Sequence, residues 1–177
     1  MEVYMKARTL IATLLFVFFA ATPAWAGPPL LCHPKPIGSA QSLPWRVTAS
    51  WNGMNATYNV SHLISDTLNL LAPSIPTNVR EETLRRAAIY SSREPGLAAR
   101  LSSRLLARTQ STQNDPSAWF DVGYFVETAR EAAIAFPDMR ADLPNIDGLA
   151  FIHKAIRLGG KNMEQAAQVV QTAQAEH

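Results

Sequence analysis

The stretch from Asp115 to Phe136 limits the fold more than any other, because it reads as one long helix specified at both ends. Asp115 is a good N-cap, since its carboxylate accepts from the free amides of a first turn, and Pro116 suits the first helical position. Pro137 blocks continuation. Trp119, Val122, Gly123, Val126, Ala129 and Ala133 recur at three- and four-residue steps, while Phe120, Tyr124 and Phe125 widen that apolar face. So broad a face needs neighbours on more than one side. The chain is therefore expected to be mainly α, an irregular bundle or solenoid-like array of about six helices in antiparallel pairs.

The other helices follow from caps and breakers. Asn59 or Ser61 caps a first one through Leu63, Ile64, Thr67, Leu68 and Leu71, which stops before Pro73. Asn78 and Glu81 make a capping-box pattern that opens a second, with Val79, Leu84, Ala87, Ala88 and Tyr90 apolar. A third starts near Pro95 and stripes Leu97, Leu101 and Leu105. The Asp115 helix is the fourth. Ile146, Leu149, Ile152 and Ile156 mark a fifth, ended by Gly159-Gly160, and Asn162 with Gln165 caps a sixth. Gly123 within the fourth implies close approach of a neighbour, because a glycine inside a helix costs up to about 1 kcal/mol.

Ahead of the helices the chain divides into three parts. Residues 1–26 read as a signal peptide: Lys6 and Arg8, an apolar run from Leu10 to Ala21, Pro23, and a small-x-small cleavage site at Ala24-Trp25-Ala26. The expected product starts at Gly27, is exported to a periplasm or secreted, and keeps no stable membrane anchor. Residues 27–44 carry Pro28, Pro29, Pro34, Pro36 and Pro44, which deny helix and ladder alike and predict an extended arm that Leu30-Leu31 would dock. Residues 45–177 read as a single helical domain that opens with a hairpin or an irregular aromatic loop. In the hairpin, over residues 45–60, Asn52-Gly53 turns the chain so that Trp51 faces Met54 and Trp45 faces Val60.

Charge is balanced overall at +2 but segregated along the chain. From Arg80 to Arg108 seven arginines meet three glutamates, a net of +4, and from Asp115 to Asp147 seven acids meet two arginines, a net of −5. The expected arrangement is solvated helix faces opposed across neighbouring helices, with Asp121, Glu127 and Glu131 on the solvated side of the long helix. Arg100, Arg104 and Arg108, at four-residue spacing, are the candidate binding stripe for a carboxylate or phosphate. Trp119 and Tyr124, with Trp45 and Trp51, are the candidate aromatic groove. No nucleic-acid motif accompanies the basic stripe, and no nucleic-acid partner is expected.

No serine-hydrolase elbow, CxxC, HExxH or phosphate-cradling glycine loop is present, so the sequence nominates no catalytic residue, no metal and no cofactor. Cys32, the single cysteine, excludes an internal disulfide and is expected to be inert or to join two chains by an intermolecular one.

Trp119-x-x-Val122-Gly123, followed by Gly148, Ile152, Ala155 and Gly160, resembles the helix-pair pattern of tetratricopeptide repeats over residues 119–160. The resemblance implies a scaffold that grips a peptide or protein in a concave surface. The functional expectation is accordingly an exported protein- or peptide-interaction module. The alternatives are a small-ligand binder or enzyme, with its site between the 45–60 aromatics and the 115–136 helix, and a homo-oligomeric structural protein.

Overall fold

A computed structural model describes residues 27–48 and 50–175. The signal-peptide reading of residues 1–26 therefore lies outside the described residues. Seven helices follow in order: α1 (Pro29–Cys32), α2 (Leu63–Leu70), α3 (Thr77–Ser91), α4 (Leu97–Ser111), α5 (Pro116–Ala135), α6 (Gly148–Arg157) and α7 (Glu164–Ala175). Short 3-10 turns span Val60–His62 and Pro137–Asp142. Among the described residues there is no β-strand, and no helix is long and apolar enough to cross a membrane.

The long helix α5 is the spine of the domain. Asp115 caps it by accepting from the Ser117 amide at 2.9 Å, with Pro116 at the first position, and Pro137 follows its end. Phe120, Val122, Tyr124, Phe125, Val126, Ala129 and Ala132 are all buried, so neighbours surround it. The helix α6 runs antiparallel to it: Gly148 packs beside Gly123, and the Trp119 and Phe151 rings lie 5.3 Å apart. A Cβ placed on Gly148 would sit 2.6 Å from the Gly123 carbonyl oxygen, and one on Gly123 would sit 2.8 Å from Ile152 Cγ1. Close backbone approach is thus what both glycines permit.

The helix α3 runs parallel to α5. Arg80 meets Asp121 near the start of both, and Arg85 and Glu131 both hold Leu31 farther along. Helices α3 and α5 pack directly on each other, and α4 returns mainly against α5. Ser117, Thr77 and Met163 consequently share one end of the bundle, where α3, α5 and α7 begin.

Three local readings are corrected. The arm is not wholly extended: Pro29–Cys32 makes one helical turn, which the prolines allow because Pro29 takes the first position, where no amide donor is needed. Asn78 and Glu81 do not form a capping box. Asn78 Nδ2 donates instead to the Pro36 carbonyl at 2.7 Å, and Glu81 pairs with Lys35 at 2.9 Å, so the arm has taken both side chains from the helix start. The hairpin register is also displaced, since Trp45 rather than Trp51 bridges Met54 and the Arg46 amide donates to the Gly53 carbonyl at 2.8 Å. Ring anchoring accounts for that loop. Trp45 stands edge-on to Tyr90, Trp51 to Phe136, and Tyr58 lies 4.8 Å from Tyr90, so each ring is held by a helix rather than by a cross-strand partner.

Candidate functional site

The interior is unusually ionic, and two connected networks account for it. In the first, Asp121 accepts from Arg80 at 2.7 and 2.8 Å and from Arg108 at 3.0 Å. The same two arginines donate to the Ala72 and Leu71 carbonyls, at 2.6 and 3.0 Å, and so finish the carboxyl end of α2. Burial lifts the Asp121 carboxyl to about 6, against the opposing pull of Arg80 and Arg108.

The second network fastens the arm to α3 and α5. Glu82 accepts from Arg85 at 2.8 and 2.9 Å, from Arg86 at 2.7 Å and from the Lys35 amide at 3.0 Å. Burial raises the Glu82 carboxyl, but the hydrogen bonds and charges of these partners outweigh it and leave the group below its usual range. Arg85 donates to the Leu31 and Trp51 carbonyls, and Arg86 to that of Leu43. Trp45 lies over both guanidiniums, at 5.0 and 5.5 Å. Glu131 accepts from the Leu30 and Leu31 amides, both at 2.8 Å, and so caps the one-turn α1 from a distant helix. Glu81, Glu82 and Arg85 of α3 are buried against the arm, whereas Arg80 is buried against Asp121.

Asp121, Glu127 and Glu131 are therefore not on a solvated face: they are 0%, 4% and 2% exposed. Glu127 accepts from the Gly148 amide and from Arg130, joining α5 to the start of α6. The opposition of the basic and acidic segments does hold, but in the core, where Arg80 and Arg108 face Asp121.

The candidate binding residues are not brought together. Arg100 is exposed and pairs with Glu94 at 2.5 Å, and Arg104 is exposed on the same face of α4. Arg108 is committed to Asp121. Trp119 is half-buried between Phe151 and Lys154, with its indole donating to the Gln113 carbonyl at 2.9 Å. Tyr124 is buried against Phe120, and its hydroxyl has no hydrogen-bond partner among the described residues. Burial, together with the charges of Glu81 and Glu82, raises that hydroxyl well above its ordinary range. Cys32 is half-buried, and burial, with Glu131 nearby, raises its thiol. His153 is exposed on α6. Among the described residues no group of three or more metal-ligating side chains converges.

Open regions among the described residues include a hollow of about 340 Å³ where the end of α3, the start of α4 and the end of α5 meet, and two more. One lies beside the carboxyl half of α5 and the end of α7, as two hollows of about 400 and 330 Å³ that share Arg130 and Arg140 and include Ile134. The other, of about 740 Å³, opens among the starts of α3, α5 and α7. Neither was singled out by the sequence, because Arg140, Lys35 and Lys161 are isolated cations whose convergence depends on helix order. Comparison with protein-family models, curated proteins and solved structures finds no match to this chain.

Proposed function

We propose that this chain is an exported peptide-interaction module, gripping an acidic, extended segment of a protein partner in the cleft between α5, the 137–142 turn and α7. The observation that carries this reading is the placing of Arg140. It is exposed at the junction of the two hollows, beside Arg130, and forms no ion pair among the described residues. Arg130 is already bonded to Glu127 and to the Ile146 carbonyl, and Glu131 to the amides of α1, so Arg140 supplies the charge left for a ligand. Ile134, 41% exposed in the same cleft, offers an apolar contact next to it. An elongated cleft with one free guanidinium and one exposed aliphatic side chain suits a peptide bearing a carboxylate beside an apolar residue. The tetratricopeptide-like spacing over residues 119–160 favours the same class of partner.

The test is fluorescence anisotropy with a labelled peptide of alternating glutamate and leucine, against the chain and its Arg140→Glu variant. Binding that weakens about tenfold or more in the variant, and weakens with added salt, supports the reading. Equal binding by both proteins removes it.

A further inference from the structure

We infer that the chain pairs with a second copy of itself by exchanging loop tips, Val47 of each copy seating in the hollow between the end of α3, the start of α4 and the end of α5 of the other. This surface goes beyond the peptide cleft and shares no lining residue with it. The loop that carries Val47 is braced from below. Trp45 stands edge-on to Tyr90, Trp51 stands edge-on to Phe136, and the Arg46 amide donates to the Gly53 carbonyl at 2.8 Å. Between those two rings Arg46, Val47, Thr48 and Ser50 are all exposed. Of the large apolar side chains described, only Val47 and Ile134 are exposed, and Ile134 belongs to the peptide cleft. The tip is therefore an apolar knob on a fixed stem, already ordered before it meets a partner.

The hollow that receives it is walled by Pro95, Ala98, Phe136 and Met139 and holds about 340 Å³. Loop and hollow lie at the same end of the bundle. Trp51 packs on Phe136, which lines the hollow, and Arg93, next to Glu94 on its rim, donates to the Asn55, Ala56 and Tyr58 carbonyls of the same loop. One two-fold axis past that end seats both tips at once, so the pair closes on itself and leaves no tip free to recruit a third chain.

Charge selects this occupant. Arg46, beside Val47, donates to the Met54 carbonyl at 3.4 Å and forms no ion pair among the described residues. On the rim of the hollow Glu94 is already paired with Arg100 at 2.5 Å, whereas Asp138 is exposed and has no ion-pair partner among the described residues. A basic residue next to an apolar one on the tip thus meets an acidic residue next to apolar walls in the hollow. The same tip is turned away from the peptide cleft, where Arg130 and Arg140 would face Arg46 with like charge.

The experiment is sedimentation equilibrium of the chain over a wide concentration range, in reductant so that no Cys32 bond contributes. The expected result is a reversible equilibrium between monomer and dimer. Val47→Asp and Asp138→Arg should each weaken the dimer about tenfold or more, while Arg46→Glu combined with Asp138→Arg should return its dissociation constant to within about threefold of the parent value. Because Arg46, Val47 and Asp138 are exposed, the variants fold, and the melting temperature of each dilute monomer checks this. Sedimentation as a monomer at every concentration overturns the pairing, and so does a dimer that Val47→Asp leaves as tight as the parent. A double variant no tighter than Asp138→Arg alone overturns the match of Arg46 with Asp138.

Discussion

Arg80 and Asp121, 41 residues apart, share a two-pronged ion pair of 2.7 and 2.8 Å with side chains only 1% and 0% exposed. Removing one partner leaves the other charge buried alone, which typically costs about 3–5 kcal/mol, so Asp121→Asn should unfold at markedly lower urea. The paired replacement Arg80→Met with Asp121→Leu should recover most of the loss, because apolar side chains of similar volume need no counter-charge. A urea midpoint for Asp121→Asn equal to that of the parent would show that the pair is not a structural keystone.

Stability should peak on the acid side of neutral. The folded-state value of Glu82 lies below its unfolded one, so its contribution is present above about pH 4.3 and is lost as the pH falls through the folded value. Asp121 acts in the opposite sense. Its folded value is raised to about 6, so its contribution is present below its unfolded value and is lost as the pH rises through 6. Together they place the highest melting temperature at about pH 4, with a decline toward pH 6 as the Asp121 contribution is lost, and Glu82→Gln should flatten the acid limb. A melting temperature that climbs steadily from about pH 4 to 6 contradicts the Asp121 assignment.

Gly123→Ala should destabilise the α5–α6 pair. The new methyl would meet the Gly148 carbonyl and Ile152, and backbone cannot yield as a flexible side chain does. Overpacking of this kind costs about 1–3 kcal/mol and should appear as a lowered melting temperature with the helical circular dichroism of the folded state retained. An alanine variant as stable as the parent would mean that the two helices are not held in close contact.

How much of this was legible depended on whether the signal was local. The α5 boundaries were, because Asp115, Pro116 and Pro137 act on adjacent turns, and Gly159-Gly160 marks the end of α6 in the same way, whereas the Asp147 cap at its start was missed. The burial of α3 was not. Arg80, Glu81, Glu82 and Arg85 read as a solvated face because charged residues are rarely buried unless paired, and their partners lie outside the helix, in Lys35, Leu31, Trp51 and Asp121. The same reasoning misplaced Asp121, Glu127 and Glu131. Neither open cleft could be read from sequence, since each collects residues from three or more separate segments.

Glu131→Gln should loosen the arm. Two charge-assisted hydrogen bonds to the Leu30 and Leu31 amides become ordinary ones, a loss of about 1–2 kcal/mol. Limited proteolysis should then cut within residues 33–48 sooner than in the parent, while α5 stays protected. Unchanged cleavage there would mean that Arg85 and Glu82 hold the arm alone.

Cys32 should react slowly. Burial and the Glu131 charge raise its thiol, so less of the thiolate is present at mild alkaline pH. Alkylation of the folded chain should be at least about tenfold slower than in urea. Equal rates would show that the thiol is open, and would favour a Cys32 bond between two chains.

The clasp between Leu30-Leu31 and Glu131 also sets an order of assembly. The first described segment to leave the ribosome bonds to a residue 100 positions later, so it waits while α2, α3 and α4 are made. Until then the charged face of α3 stays in water, which keeps the incomplete chain soluble. Closure comes late and joins segments 100 residues apart, a high-contact-order step that should make folding slower than in a bundle of equal size with only neighbouring contacts.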